Sequence, residues 1–357
     1  MGIETRRMIA AGLGLGGPVA WGVASGHSAL GALAAIGALA VSGVSMGPAG
    51  GVADGVAVRG VSLAEGLGRG GYAVATTTVA GLVGAAVGGH GWIAAVTIVL
   101  VAAVVAVVGG MSRPMAEHTT RFIVFMVIST GLAKHAAPVA AAVLFAEGAI
   151  WGLLITALCT HTRQPRLGAR RAEPVAVPPA NPAPTKRALL RRWWRTLGTL
   201  SGWQYPIRLT ACLAAAEIIG LVWPQPTASW IAVTVVIVVR RQLDGALRRA
   251  IERAAGTGAG VVAGSAVLLW VPAPWLFVLL VTGLAAVRPV LKDRDYTLYA
   301  TVMTPLVLLL MEGGGRVAPA TIGYRLADTA IGCVLALGLG YLPWAVRRER
   351  SARAIVD

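Results

Sequence analysis

The chain has 357 residues, 56% of them apolar and only 13% charged, and a mean hydropathy of +0.73. An ordinary soluble domain is about 45–50% apolar with Gly counted and about 25% charged, whereas here 46 Gly come in addition. Too little charge is left to coat a globule of this size, so soluble and disordered readings are excluded and an all-α integral membrane protein is predicted. The formal charge of +16, from 31 basic and 15 acidic residues, points either to a polyanion or to a sided topology.

A spanning helix needs about 20 residues at 1.5 Å rise. In the first half, apolar runs lie near 8–26, 28–46, 71–89, 91–110, 121–137 and 138–160. Arg6-Arg7 ahead of the first run looks like the start of a signal peptide. That run has no small-x-small cleavage site, however, and is kept as a span. A break at 161–204 follows, with Pro174, Pro178, Pro179, Pro182 and Pro184 crowded into an extended spacer. The break ends in Lys186-Arg-Ala-Leu-Leu-Arg-Arg-Trp-Trp-Arg-Thr-Leu197, in which basic residues beside Trp193-Trp194 suit a helix on anionic lipid headgroups. Apolar runs resume near 207–223, 226–240, 255–272, 274–288, 296–311 and 319–344. The predicted organisation is a first six-span unit over 1–160, a cytoplasmic linker over 161–204, a second six-span unit over 205–346 and a basic tail over 347–357.

With both termini inside, 28 of the 31 basic residues fall on the inner side. Lys134, Arg316 and Arg325 remain outside or near outer ends. The split follows the positive-inside rule, and losing one span would spoil it. Topology therefore accounts for the charge, and no nucleic-acid partner is expected. Both termini are expected to be cytoplasmic.

The halves read as copies. Pro138 precedes Glu147 by nine residues, and Pro319 precedes Asp328 by nine. Ala146-Glu147-Gly148-Ala149-Ile150 aligns with Ala327-Asp328-Thr329-Ala330-Ile331, and Arg113-Pro114 with Arg288-Pro289. Units of six spans run the same way through the membrane, so the expectation is about twelve transmembrane helices in two parallel repeats.

The second half carries a family pattern. Ser229-Trp230 through Thr234 leads to Arg240, then Arg253-Ala-Ala-Gly256-Thr257-Gly-Ala-Gly260, Thr304-Pro305, and Arg325-Leu-Ala-Asp328-Thr329-Ala-Ile-Gly332. This order resembles the fusaric acid resistance protein-like family of aromatic acid exporters, over about 205–345. Over 8–160 the resemblance holds only through the internal repeat. It implies an inner-membrane efflux protein exporting small organic acids, aromatic carboxylic acids above all. The plant aluminium-activated malate channels look like distant relatives. Larger members carry a soluble domain between the halves, where this chain has a Pro-rich linker.

The residues that stand out chemically are acids inside apolar runs: Glu147, Glu217 and Asp328. Nine residues from a span end is about 13–14 Å of depth, near the middle of a core about 30 Å thick. An acid there costs roughly 2.5–3.5 kcal/mol. Each must face the interior, find a partner or bind a proton. The expectation is a proton or substrate pathway in which Glu147 faces Asp328 across the pseudo-twofold axis. The bland alternative is helix locking, with Arg325 as the local partner of Asp328.

Lys134, His135 and Arg325 suit an outer exit site. Thr76, Thr77, Thr78, Thr301 and Thr304 could present hydroxyls to a carboxylate, although such residues more often bond back to their own helix. The amphipathic stretch Arg240 to Arg253 is expected to continue the eighth span or to lie along the membrane, with Arg240, Arg248 and Arg249 gathering anions at an inner mouth.

Cys159, Cys212 and Cys333 form no CxxC pair, and no zinc spacing, Walker motif or nucleophile elbow occurs, so neither enzyme, metal site nor cofactor is expected. The expected partners are the bilayer and a small organic anion. A homo-oligomer and a periplasmic partner are both compatible with the sequence. A passive organic-anion channel and a non-transporting scaffold or accessory subunit are the alternatives to an exporter.

Overall fold

The computed structural model describes residues 2–42, 52–53, 56–57, 63–132, 137–161, 185–241, 245–269, 273–313 and 318–347. The Pro-rich spacer, Lys134 and His135, Arg316 and most of the basic tail lie outside the described residues.

Among the described residues the chain is helical, apart from a two-residue antiparallel pair, β1 (Val52–Ala53) with β2 (Val56–Ala57). The first half forms α1 (Ile3–Ala24), α2 (Ser28–Val41), α3 (Leu63–Val87), α4 (Trp92–Val108), α5 (Arg113–Leu132) and α6 (Pro138–His161). A short α7 (Lys186–Leu197) leads into α8 (Leu200–Val222), α9 (Ser229–Val238), α10 (Ala246–Leu269), α11 (Pro274–Arg294), α12 (Tyr296–Glu312) and α13 (Pro319–Gly338).

Local chemistry sets several of these ends. Pro274 and Pro319 open α11 and α13, where a missing N–H costs nothing. Asp295 alone separates α11 from α12. Its carboxylate accepts from the Thr297 amide at 2.6 Å and the Leu298 amide at 3.2 Å, capping α12. Gly313, at φ 58°, ends α12 in the left-handed region. The Thr185 hydroxyl caps α7 by accepting from the Ala188 amide at 3.3 Å.

Among the described residues five stretches are long and apolar enough to cross a membrane: Gly66–Val87, Pro138–Cys159, Leu200–Val222, Pro274–Arg294 and Pro319–Arg347. Four shorter helices, α2, α4, α9 and α12, are apolar as well. Large apolar side chains cover the outside, among them Leu100, Val139, Leu158, Val262, Leu279 and Val334. In water they would make an aggregating surface; in lipid they are solvated.

The sequence boundaries need two corrections. α9 has ten residues, shorter than its apolar run, because the chain leaves helical geometry at Val239. The amphipathic stretch does not continue the eighth span. Its part from Ala246 onward forms the first two turns of α10, and the chain breaks at 239–241 before it.

The helices pack in pairs that recur between the halves. Within the first set α1 touches α2 and α6, α2 touches α6, and α3 touches α5 and α6. In the second set α8 touches α9 and α13, α9 touches α13, and α10 touches α12 and α13. Across the halves α1 packs on α11 and α4 on α8, while α5 packs on α9 and α12 on α2. Each half thus lends its first helix to the other. Where α2 meets α6, a Cβ on Gly148 would run into the Ala34 carbonyl, so only glycine allows that approach.

Candidate functional site

α13 brings the polar residues of the second half together. Its buried face carries Arg325, Asp328, Thr329, Gly332, Cys333 and Ala336. These recur at three and four, the helix period, and face α9 and α10. The α9 contact is close because position 332 is glycine: a Cβ there would lie 2.7 Å from Thr234 Cβ and 2.9 Å from the Ile231 carbonyl oxygen.

Asp328 is fully buried. Its Oδ1 accepts from Gln225 Nε2, which the loop between α8 and α9 holds in place, and the Thr227 hydroxyl lies against the same carboxylate. Arg325, one turn toward the N-terminus of α13, does not form the expected ion pair with it. The guanidinium instead lies over the Trp230 indole at 3.5 Å from the ring centroid, and Nη2 donates to Met311 Sδ at 3.4 Å. Among the described residues no carboxylate lies within ion-pair distance of Arg325; the three ion pairs are Arg7–Asp293, Arg113–Glu117 and Arg248–Glu252. The acids whose charge reaches Arg325 are Asp328 and Glu312.

On the opposing helices stand Thr234, Thr257 and Arg253, all buried. The Arg253 charge reaches both Cys333 and Arg325. The Nε atoms of Arg253 and Arg325, the hydroxyls of Thr234 and Thr257, and Gln225 Oε1 are buried without a hydrogen-bond partner. Burying such groups unpaired costs about 1–3 kcal/mol each. Buried groups of this kind call for a polar counterpart. From Arg325 to Cys333 the track runs about 12 Å along α13 at 1.5 Å per residue. It holds two guanidiniums against one carboxylate.

At the junction of α2, α3 and α6 the buried residues among those described are apolar apart from Thr77, whose hydroxyl donates to the Ala73 carbonyl at 2.8 Å. Phe145 is fully buried there, with its backbone against Gly37 and its ring over Gly81. Among the described residues no charged side chain is buried at that junction.

The other expected residues are dispersed. Glu147 does not face Asp328: its side chain is exposed, on the outer face of α6 with Val139, Val143, Ile150, Leu154 and Leu158. The buried face of α6 includes Phe145, Gly148, Ala149 and Gly152, so Glu147 is rotated about 100° from Gly148 onto the surface. Glu217 is half-buried on α8, beside the buried Ala216. Thr304 donates to the Ala300 carbonyl at 2.9 Å, and Thr76, Thr77, Thr78 and Thr301 likewise bond back to their own helices.

Of the basic residues expected at an inner mouth, Arg248 is held by Glu252 at 2.7 Å, and Arg249 lies over the Tyr296 ring at 4.0 Å. Arg240 is exposed, with Arg249 and Tyr296 within reach of its charge. Arg241 joins α4 to α9: Nη2 donates to the Ala106 carbonyl at 2.8 Å, and the guanidinium lies over Tyr205 at 4.3 Å. Burial pushes that guanidinium below its ordinary value, and Tyr205 opposes the shift.

Arg208 and Arg288, both within the basic residues placed on the inner side by the charge count, are buried. Arg208 Nε donates to the Gly340 carbonyl, and Arg288 Nη2 donates to Ser42 Oγ. Gln225 was missed altogether. Its signal is Pro224-Gln225-Pro226, a polar side chain held rigidly between two prolines.

The chain is similar over 136 residues to the uncharacterized protein YhfK of Escherichia coli, at 30% identity. Over 150 residues it is similar to the uncharacterized membrane protein YvaC of Bacillus subtilis, at 28% identity. The matches cover 37% and 40% of this chain but only 19% and 24% of those relatives. No solved structure matches it. Residues 212–339 match the family model of fusaric acid resistance protein-like domains, and every residue of the polar track lies in that interval. Residues 212–339 are therefore similar to fusaric acid resistance protein-like domains, within a multi-pass membrane protein.

Proposed function

We propose that the chain exports small organic anions, aromatic carboxylic acids first among them, across the inner membrane through the polar track on α13. The observation that carries this reading is the pair of buried guanidiniums, Arg325 and Arg253, each with an unpartnered Nε. A carboxylate supplies the acceptors those donors lack. The Trp230 ring, already under the Arg325 guanidinium, offers an aromatic acid a surface beside its charge. Asp328 leaves only one net positive charge, so an anion can bind and still leave. Asp328 and Glu217 are the groups that would carry protons if export is coupled to them.

The track belongs to a twelve-span protein made of two parallel six-helix units, with both termini cytoplasmic. Supporting this, the pairings of α1 to α6 recur among α8 to α13. Phe145 closes the site in the first copy, leaving one pathway rather than two. α7 lies on anionic lipid headgroups, exposing Arg187, Arg191, Arg192 and Arg195 while Trp193 Nε1 donates to the Val107 carbonyl at 3.1 Å.

The test is flux of radiolabelled benzoate in proteoliposomes, with and without an imposed pH gradient. Saturable flux that Arg325→Gln impairs supports the proposal, and dependence on the gradient assigns proton coupling. Flux no greater than in protein-free liposomes for a range of aromatic and aliphatic acids would overturn it in favour of a scaffold.

A further inference from the structure

Glu147 occupies an unusual position on this surface. The other exposed charges among the described residues lie on α7 or within about two turns of the end of a spanning helix, as do Arg7, Arg69, Arg113, Glu117 and Arg248. Glu147 is the tenth residue of the 24 in α6, with apolar side chains above and below it on the same face. Hydrocarbon offers a carboxyl no donor and no acceptor. This chain gives it none either: no hydrogen bond or ion pair joins Glu147 to another described residue.

What covers it must bring a polar group to mid-depth on a lipid-facing helix. A second copy docked through a different face would bring no charge, because no other exposed charge lies at that depth. A second copy docked through the same face brings Glu147 itself, since an isologous contact sets each residue near the axis against its own mate. A protonated carboxyl donates and an ionised one accepts, so one proton satisfies the pair. The stripe of Val139, Val143, Ile150, Leu154 and Leu158 would pack around it along the helix, and polar groups of this kind join helices in bilayers.

We infer that α6 is the face through which two copies of this chain pair, side by side about a twofold axis along the membrane normal, with their Glu147 carboxyls hydrogen-bonded to each other. The pairing does not depend on what the chain transports.

The test uses the full chain in liposomes, with subunits counted by single-molecule photobleaching at decreasing protein-to-lipid ratio. Glu147→Gln keeps a donor and an acceptor and retains the dimer. Glu147→Leu weakens association by roughly 3- to 20-fold, as expected for one interhelical hydrogen bond in a bilayer. Independently, in a Cys159→Ala background, Leu154→Cys and Val143→Cys cross-link between copies, whereas Val262→Cys on α10 and Leu279→Cys on α11 do not. Monomers at every ratio, cross-links through α10 or α11 instead of α6, or undiminished pairing of Glu147→Leu would each overturn the inference.

Discussion

Replacing Arg325 separates what this residue does for binding from what it does for folding. The side chain is 6% exposed, has no carboxylate within ion-pair distance and rests on Trp230. A desolvated cation–π contact contributes about 2 kcal/mol, whereas withdrawing a cation from water costs several kcal/mol even after relaxation. The fold is therefore better off without the charge. Arg325→Met, similar in length and apolar, is expected to resist thermal unfolding in detergent at least as well as the parent. Binding goes the other way. A hydrogen bond to a charged group contributes about 1.5–3 kcal/mol, so Arg325→Gln raises the half-saturating concentration of a labelled aromatic acid about 10- to 150-fold. Arg325→Lys keeps the charge but loses the flat stacking surface, and falls between. Concentration-dependent flux in proteoliposomes measures the first effect, and detergent-solubilised melting the second. Unchanged half-saturation in Arg325→Gln, or a lower melting temperature in Arg325→Met, would refute the reasoning.

Three further outcomes are expected. Asp328→Asn abolishes benzoate flux, while Glu147→Gln leaves it within a factor of about two because Glu147 points away from the track; equal loss in both, measured in the same vesicles, would contradict this placement. Gly148→Val drives a branched side chain into the Ala34 carbonyl and separates α2 from α6, costing at least the ~1–3 kcal/mol of an overpacked site; fluorescence-detected size exclusion should show a lower, aggregated yield. Trp193→Phe removes the bond from α7 to the end of α4, a loss of about 1 kcal/mol. Trypsin should then cut at Arg191, Arg192 or Arg195 faster than in the parent, with the spanning helices intact.

The contrast between Glu147 and Asp328 shows where sequence reading succeeds and where it stops. Counting from a proline yields depth, because every helical residue rises by the same 1.5 Å. On that count the two acids are equivalent, nine residues from their prolines. Azimuth is a different coordinate. A one-residue offset between the alignment and the packing turns a side chain through about 100°, enough to move an acid from a helix junction into lipid. What fixes azimuth is which neighbour admits close approach, and that is written in small residues on two helices at once: Gly148 against Ala34, Gly332 against Thr234 and Ile231. Glycine makes up 46 of the 357 residues, so its spacing alone could not single out these contacts.

The family motif was more legible because its members lie on three different helices yet face one junction. Trp230, Arg253, Thr257, Arg325 and Asp328 read in the sequence as separate landmarks, and α13 draws them into one track. The junction of α2, α3 and α6 carries no such motif. Phe145 fills it, and once an aromatic ring occupies that space, neither a guanidinium nor a carboxylate has room there.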